Sequence, residues 1–509
     1  MKRFNTIQEL LAAGHGEDIA FAASGCPPLS YNGLRAHVER TVTGLNRLGI
    51  GRDDRVALVL PNGTEMATAF VAVAAGATAA PLNPGYRADE FEFYLSDLKA
   101  KALIVERGGN SPALGVATKL AIPVIEIVRT AGDPAGVFEL VPVEGGNPAA
   151  ATSGGYARPD DIALVLHTSG TTSRPKIVPL TQRNVCASAG HIRDTLNLTA
   201  TDRGLNIMPL FHIHGLIGSV LSTLAAGGSV FCVPGFNALK YFAWMDEARP
   251  TWYTAVPTMH QAILGRATNN RETIARNPLR FIRSSSSSLP PQVLHELEQV
   301  FNAPVLESYG MTEAAHQMTS NPLPPRAHKP GTVGIAAGPE VAILSEEGKL
   351  LGPNATGEVV IRGPNVTPGY ENNPKANAEG FTNGWFRTGD QGVLDAEGYL
   401  TITGRLKEII NRGGEKISPR EVDEVLMDHP AILQVVTFAV PHPKLGEDVA
   451  AAVVLREGRS ASDKEIREFA SKRLADFKVP RKILFLDEIP KGATGKLQRI
   501  GLAQKLGLG

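Results

Sequence analysis

The stretch Asp54–Leu60, DRVALVL, is a short run of aliphatic and β-branched residues, and Thr64–Gly76, TEMATAFVAVAAG, behind it is an apolar segment of helical length. Strand-type runs alternating with helix-type segments predict βα units around a largely parallel sheet. The rhythm continues downstream with ALVLHTSG (Ala163–Gly170), a helical segment around Val185–Leu196, and LNIMPL (Leu205–Leu210). Near-continuous apolar or β-branched runs at Ser229–Val233, Thr251–Val256, Leu279–Arg283 and Val305–Ser308 are strands covered on both faces. Several of them end in polar clusters. In open α/β sheets, ligands bind at the carboxyl ends of the strands, so those clusters are where chemistry is expected.

After about residue 340 the texture changes to hairpin-like segments, VAILSEEGKL and TGEVVIRG, and after Gly404 to a smaller α+β pattern. Two helices there have capping-box starts, Ser418-Pro419-Arg420-Glu421 and Ser462-Asp463-Lys464-Glu465. In each, Ser accepts from the N3 amide and Glu reaches back to the cap amide, and Pro419 suits the first helical position. A domain boundary is therefore expected near Arg405–Lys407. No internal repeat is found, and the serine run Ser284–Ser288 is the one low-complexity patch.

Bulk properties narrow the class. At roughly 100–200 residues per domain, 509 residues make about two to four domains with room for large cores. Hydrophobic residues at 43% and charged residues at 20% are ordinary for a globular enzyme. Lys+Arg and Asp+Glu balance at 51 each, which removes the basic excess of a nucleic-acid or anionic-membrane surface. Cys26, Cys186 and Cys232 are few and widely spaced, so neither a disulfide framework nor a zinc site is expected. The start, MKRFNTIQELLAAGHGEDIA, has no signal-type apolar core, and the end, KLGLG, is not a peroxisomal SKL. Met66–Leu82 and Leu216–Pro234 approach membrane-span length but are rich in Gly, Ala, Ser and Thr; each reads as a buried helix followed by a buried strand.

His167–Lys176, HTSGTTSRPK, carries the strongest local chemistry. Small hydroxyl residues and a glycine let the backbone approach phosphate oxygens, while Arg174 and Lys176 bring countercharge. It is not a Walker A loop, because the GxxxxGK[ST] spacing is absent, and on its own it would also pass for a plain Ser/Thr loop. GxGxxG, HExxH and GxSxG are missing too, against dehydrogenase, zinc-protease and serine-hydrolase readings.

Together with YGMTE (Tyr309–Glu313), WFRTGD (Trp385–Asp390), GRLKEIINRGGEKISPREVD (Gly404–Asp423) and PKGATGK (Pro490–Lys496), this loop resembles the adenylate-forming acyl-CoA synthetase superfamily, which includes luciferases and peptide-synthetase adenylation domains. The resemblance runs from about residue 30 to residue 500, with its five motifs in order. It implies an α/β fold: a large N-terminal adenylate-forming domain (1–404) of α/β subdomains with largely parallel sheets plus a β-rich subdomain, a hinge (405–408), and a small, mobile α+β C-terminal domain (409–509). It implies ATP, Mg2+ and coenzyme A acting on a small-molecule carboxylate; a cytoplasmic location is expected from the missing signals and the cysteine usage, and no nucleic-acid or membrane partner from the charge balance, while oligomeric state stays open.

Residue by residue, the resemblance implies that Thr168, Ser169, Gly170, Thr171, Thr172 and Lys176 orient the β- and γ-phosphates, and that Ser286, Ser287, Ser288, Tyr309, Gly310 and Met311 line the adenine pocket. Thr312 would touch the α-phosphate and Glu313 would hold Mg2+, a hard cation suited to a carboxylate plus substrate phosphates. Asp390 would accept from the ribose hydroxyls, with Arg405 beside it; an ionised Asp is acceptor-only, which suits a vicinal diol. Lys496 would neutralise charge as the carboxylate attacks the α-phosphorus. Lys407 falls at the hinge, and Gly413 and Gly414 would meet the pantetheine arm. No protein nucleophile is needed, so the cysteines need no catalytic role.

Within the superfamily, Ser173 in the phosphate loop, FIRSSSSSLPP (Phe281–Pro291) and ESYGMTEAAHQMTSNPLPP (Glu307–Pro325), continuing into HKPGTVG, most resemble oxalate–CoA ligases. Ile177 departs from the glycine that commonly follows the loop lysine. A two-carbon diacid calls for a short polar pocket in place of an apolar tunnel. His212 and His214 in PLFHIHG, Arg283 and His316 are the candidates to line it, although each histidine could simply pack the core and Arg283 could be a structural ion-pair partner. Malonate, an aryl acid or a medium-chain acid are the alternative substrates. A carrier-loading adenylation domain and an inactive nucleotide-binding scaffold are the alternative functions.

Overall fold

The computed structural model describes residues 3–143, 150–168, 175–490 and 499–508. The chain divides into two compact units. The first comprises residues 1–168, 177–341 and 361–380; the second comprises 169–176, 342–360 and 381–509.

Two sheets organise the first unit. A seven-stranded sheet is parallel through Val124–Val128, Ala102–Glu106, Arg55–Val59, Thr78–Pro81 and Ile162–His167, with antiparallel edges at Glu139–Pro142 and Ile177–Thr181. The strand opened by DRVALVL is its centre, and Val56–Val59 are buried on both faces. Every residue of the following helix, Thr64–Ala74, is buried except Glu65. That helix touches both Ile162–His167 of this sheet and Ser229–Cys232 of the other, which is why it is apolar all round where a one-sided helix would carry a polar face. No helix of the described residues is long and apolar enough to cross a membrane.

The second sheet has nine strands. Its central strands Arg203–Asn206, Trp252–Ala255, Phe281–Ser284 and Val305–Met311 lie side by side and parallel. His316–Ser320 then turns back antiparallel to Val305–Met311. A core that includes Leu205, Tyr253, Ile282, Leu294 and Val305 packs behind these strands. Leu216–Pro234 forms a helix and a buried strand, as expected, but the helix begins as π-helical turns over His214–Leu221.

The second unit holds two smaller sheets. One is built on Glu340–Leu344, Thr356–Arg362, Phe381–Thr382, Trp385–Leu394 and Leu400–Arg405. The other joins Ile410–Arg412, Glu415–Ile417, Ile432–His442, Gly446–Leu455 and Lys482–Phe485, with helices Pro419–Met427 and Asp463–Ser471 on a core of Ile410, Val422, Leu426, Val453 and Ile466. The cap at Ser462 is reciprocal, with Ser462 N donating to Glu465 at 2.7 Å and Glu465 N to Ser462 Oγ at 3.2 Å. The cap at Ser418 is only half of the expected box. Ser418 Oγ accepts from the Glu421 amide, but the Glu421 carboxylate is drawn away by Lys478 Nζ at 2.6 and 2.8 Å.

Candidate active site

The carboxyl ends of three neighbouring parallel strands bring Thr254, Arg283 and the Glu307–Met311 segment together, in the registers Thr254↔Arg283 and Ser284↔Glu307. Beyond Met311 the chain makes a tight turn, Thr312–Ala314, and returns at His316. The reversal is close: a side chain on Gly310 would collide with the His316 carbonyl, so only glycine fits there. Ala315 and His316 have φ of +47° and +101°, a costly backbone for non-glycine residues and one that is typical of ligand-handling loops.

His316 aims its ring at Arg283. Arg283 Nη1 donates to His316 Nε2 at 3.0 Å, and Nη2 donates to Gln317 Oε1 at 3.1 Å. A guanidinium is donor-only, so His316 Nε2 accepts and the ring proton sits on Nδ1. Gln317 is itself held through Nε2 by Thr195 Oγ1 (3.1 Å) and the Ala337 carbonyl (3.0 Å). The His214 ring stacks on His316 with centroids 4.9 Å apart and planes at 22°. Its two nitrogens meet hydroxyls, Nδ1 with Ser286 Oγ at 3.1 Å and Nε2 with Thr254 Oγ1 at 2.6 Å. Ser286 is exposed, with φ of +71°, and carries this buried cluster to the surface.

The electrostatics are unusual. Arg283 has 0% exposure, forms no ion pair among the described residues, and keeps Nε without a hydrogen-bond partner. Burial pulls its pKa down to about 9, with no carboxylate to oppose the shift. Burial, then the neighbouring Arg283, pushes His316 well below the usual imidazole range; burial, then His316 and Arg283, does the same to His214. The cluster is thus one buried positive charge walled by neutral imidazoles. Such a charge is normally paired, and none of the described carboxylates pairs with this one.

Of the expected acid-pocket residues, His214, Arg283 and His316 are brought together. His212 is half-buried, with its ring tilted against Phe211 at 4.6 Å. Sequence reasoning missed Thr254, Gln317 and Gly218. Gln317 lay within the quoted AAHQ, but nothing local says that it faces an arginine two strands away. Gly218, on the π-helical turns, leaves room for the imidazole pair: a Cβ there would come within 2.6 Å of His316 Cδ2 and Nε2 and 3.1 Å of His214 Cδ2. Gly218→Ala is expected to push the His316 ring off Arg283, costing about 1–3 kcal/mol by overpacking and raising KM for the acid more than KM for ATP. Unchanged thermal midpoint and kinetics would mean that the ring is not held where the hydrogen bonds place it.

For the nucleotide, Glu313 is 6% exposed and its Oε1 accepts from the Tyr370 hydroxyl at 2.8 Å. Thr312 is half-buried beside it. No group of three or more His, Cys, Asp or Glu gathers among the described residues. A single carboxylate fits Mg2+, which takes one or two carboxylates and leaves its other positions to water and substrate phosphates. In the second unit, Asp390 and Arg405 face each other in register on adjacent strands, with Arg405 Nε donating to Asp390 Oδ1 at 2.9 Å. Lys407 is exposed on a short turn, Leu406–Glu408. Gly413 and Gly414, with φ of +62° and +101°, make the tight hairpin between Ile410–Arg412 and Glu415–Ile417. Thr168 and Lys176 are half-buried. Ser169, Gly170, Thr171, Thr172 and Lys496 lie outside the described residues. Ile177 is 5% exposed and starts an edge strand, packed where a glycine would leave a gap. A cavity of about 520 Å3 lined by Asp18, Arg203, Ser229, Arg249 and Thr251 opens at the amino ends of the nine-stranded sheet, the end opposite Thr254, Arg283 and Glu307.

Comparison with known proteins adds to this geometry. Residues 9–371 match the AMP-binding enzyme family and residues 421–496 match the AMP-binding enzyme C-terminal domain. An oxalate–CoA ligase of Arabidopsis thaliana is 49% identical over 490 residues, 95% of each chain. An oxalate–CoA ligase of Saccharomyces cerevisiae is 45% identical over 475 residues, 89% of this chain and 87% of that one. Among solved structures, ATP-bound MatB from Rhodopseudomonas palustris superposes with a TM-score of 0.87 at 28% identity, covering 98% of each chain.

Proposed function

Because this chain belongs to the AMP-binding enzyme family, we propose that it is an ATP-dependent acid–CoA ligase and that its acid is oxalate. A carboxylate oxygen attacks the α-phosphorus of ATP, giving acyl-adenylate and pyrophosphate. The CoA thiol, losing its proton, then attacks the acyl carbon; AMP leaves and the thioester forms. Bound Mg2+ supplies charge neutralisation on the phosphates.

What supports oxalate above other acids is Arg283, a buried guanidinium with an unpartnered Nε and, among the described residues, no carboxylate of its own. In this reading the second carboxylate of oxalate supplies the missing countercharge while the first reacts. His316 Nδ1–H and the hydroxyl of Ser286, whose oxygen His214 Nδ1 holds, donate to its remaining lone pairs. Kept neutral by their surroundings, the imidazoles orient the anion without adding charge. An acid with an apolar tail would leave Arg283 uncompensated and desolvate nothing useful.

The other roles are part of the proposal: Glu313 for Mg2+, Thr312 for the α-phosphate, Asp390 and Arg405 for the ribose, the 168–176 loop for the β- and γ-phosphates, Ser286–Ser288 and Tyr309–Met311 for adenine, Gly413 and Gly414 for pantetheine. A hinge at Lys407 lets the C-terminal domain present Lys496 for the first half-reaction and the glycine hairpin for the second. That assignment gives a separable expectation. Lys496→Ala should slow pyrophosphate release with oxalate by at least about a hundredfold, the order seen when one transition-state charge contact is removed. Transfer from pre-formed oxalyl-adenylate to CoA should be kept. Loss of both half-reactions together would place Lys496 in folding or in CoA binding.

The deciding experiment is CoA-dependent AMP formation with MgATP across oxalate, malonate, acetate, benzoate and octanoate. Strong preference for oxalate supports the assignment. Preference for octanoate or benzoate keeps the ligase and removes the acid; silence with every acid favours a nucleotide-binding scaffold.

A further inference from the structure

Residues 364–371, PNVTPGYE, fasten the Thr312–Ala314 turn at three points. Asn365 Nδ2 donates to the Ala314 carbonyl at 2.8 Å, the Thr367 amide donates to the Glu313 carbonyl at 2.7 Å, and the Tyr370 hydroxyl donates to Glu313 Oε1 at 2.8 Å. The segment is itself anchored on the far side. The Thr367 hydroxyl donates to the Pro179 carbonyl at 2.7 Å, the Glu371 amide donates to the Ile177 carbonyl at 3.1 Å, and the Glu371 carboxylate pairs with Arg55. Asn184 Nδ2 holds the Pro364 and Val366 carbonyls at 2.8 and 3.0 Å. Asn377 brackets the Tyr370 backbone, accepting its amide at 2.7 Å and donating to its carbonyl at 2.8 Å.

None of these bonds is needed to make a strand or a helix. Their common effect is to fix one side chain, the carboxylate of Glu313, from both its backbone and its tip. A glutamate has three rotatable side-chain bonds, and a metal ligand that must find its rotamer anew loses affinity at each encounter. A phenol on a rigid ring, 9% exposed and clamped at its own backbone, is a donor that can stand at one place.

We propose that Tyr370 is a positioning residue that sets the rotamer of Glu313 for the magnesium ion of MgATP. The inference rests on the reading of Glu313 given above and deepens it. Tyr370→Phe keeps the ring and its packing and removes only the donor. Calorimetric titration of ATP into the full-length protein, across a range of Mg2+ concentrations and again in EDTA, tests it without turnover, alongside Glu313→Gln and the thermal midpoint of each variant. The expected result for Tyr370→Phe is a Mg2+ midpoint raised about tenfold, at the low end of the 10–100-fold seen when a partner behind a metal ligand is removed, with metal-free ATP binding and thermal midpoint unchanged. Equal weakening with and without Mg2+, together with a lower thermal midpoint, would mark Tyr370 as merely structural and overturn the proposal. A wild-type Mg2+ midpoint in Tyr370→Phe, with Glu313→Gln shifted, overturns it too while leaving Glu313 as the metal ligand. An unshifted Glu313→Gln removes the metal from Glu313, and the proposal with it.

Discussion

Arg283→Met is expected to lower kcat/KM for oxalate by about a thousandfold, the upper range for truncating one partner of a buried charge pair, while the thermal midpoint of the ligand-free protein stays within a few degrees of wild type. The two halves of that expectation have one source. Burial pulls the Arg283 guanidinium from its ordinary range down to about 9, so holding its charge in the fold costs about 5 kcal/mol. Methionine fills similar length and removes that cost. Against the gain, the acceptors on His316 Nε2 and Gln317 Oε1 lose their donor, at about 1–3 kcal/mol each. The sum is near zero, whereas a structural salt bridge would leave a stranded carboxylate and a collapse in stability. In the proposed reading the partner that would be stranded is the substrate. Arg283→Lys keeps the charge without the fork and should fall between the two, because one ammonium cannot serve His316, Gln317 and a carboxylate in one plane. A large drop in thermal midpoint for Arg283→Met with oxalate turnover intact would reverse the assignment: the residue would be structural and the acid bound elsewhere.

The sequence carried the architecture because its strands are covered on both faces. Val56–Val59 and Ser229–Cys232 show up as unbroken apolar runs only when helices sit on each side, and Thr64–Ala74 is apolar all round because it touches strands of two sheets. Local pattern says nothing of strand order. Trp252–Ala255 lies beside Arg203–Asn206, although Ser229–Cys232 stands between them in sequence, and on its other side it pairs with Phe281–Ser284 in the register that sets Thr254 next to Arg283. The π-helical turns at His214–Leu221 were also invisible, since a fully buried apolar segment has no polar face from which to read a period. The half-formed cap at Ser418 has a similar cause: its glutamate found a lysine 57 residues away, a tertiary competitor that no four-residue pattern contains.

Site residues divide the same way. Arg283 was legible as a polar group at a strand end, and His214 and His316 as imidazoles in PLFHIHG and just beyond YGMTE. Their supports were not. Gln317, Thr254 and Tyr370 act by facing a partner that is 34, 40 and 57 residues distant, and Gly218 acts by lacking a side chain where two rings need space. Chemistry-bearing residue types announce themselves by type; the residues that aim them are ordinary, and only the fold tells them from neighbours of the same kind.

Acid should unfold the first unit earlier than its surface charge alone would require, and His37 is the group through which this can be measured. His37 is 0% exposed, neither ring nitrogen has a hydrogen-bond partner, and the ring packs edge-on against Phe138 at 4.4 Å. Burial, reinforced by Arg40, lowers its pKa from 6.5 to about 4. His260, also 0% exposed, is lowered from 6.5 to about 3 by burial. The sign follows from proton counting. Both rings stay neutral in the folded protein while the unfolded chain protonates them near 6.5, so the unfolded state binds more protons and stability falls as pH drops below 6.5. The loss continues until the folded-state values near 4 and 3 are passed. Between pH 7.5 and 5.0 each ring should withdraw about 2 kcal/mol, hence about 4 kcal/mol from the pair. Carboxylates and the other buried imidazoles contribute to the same slope, so the comparison that isolates His37 is between wild type and His37→Leu. The variant should lose less thermal stability over that interval, by an amount corresponding to about 2 kcal/mol, because leucine has no proton to gain in the unfolded chain. Identical pH dependence in the two proteins would mean that His37 takes up its proton inside the folded state, and the dry, partnerless packing against Phe138 would have to be abandoned.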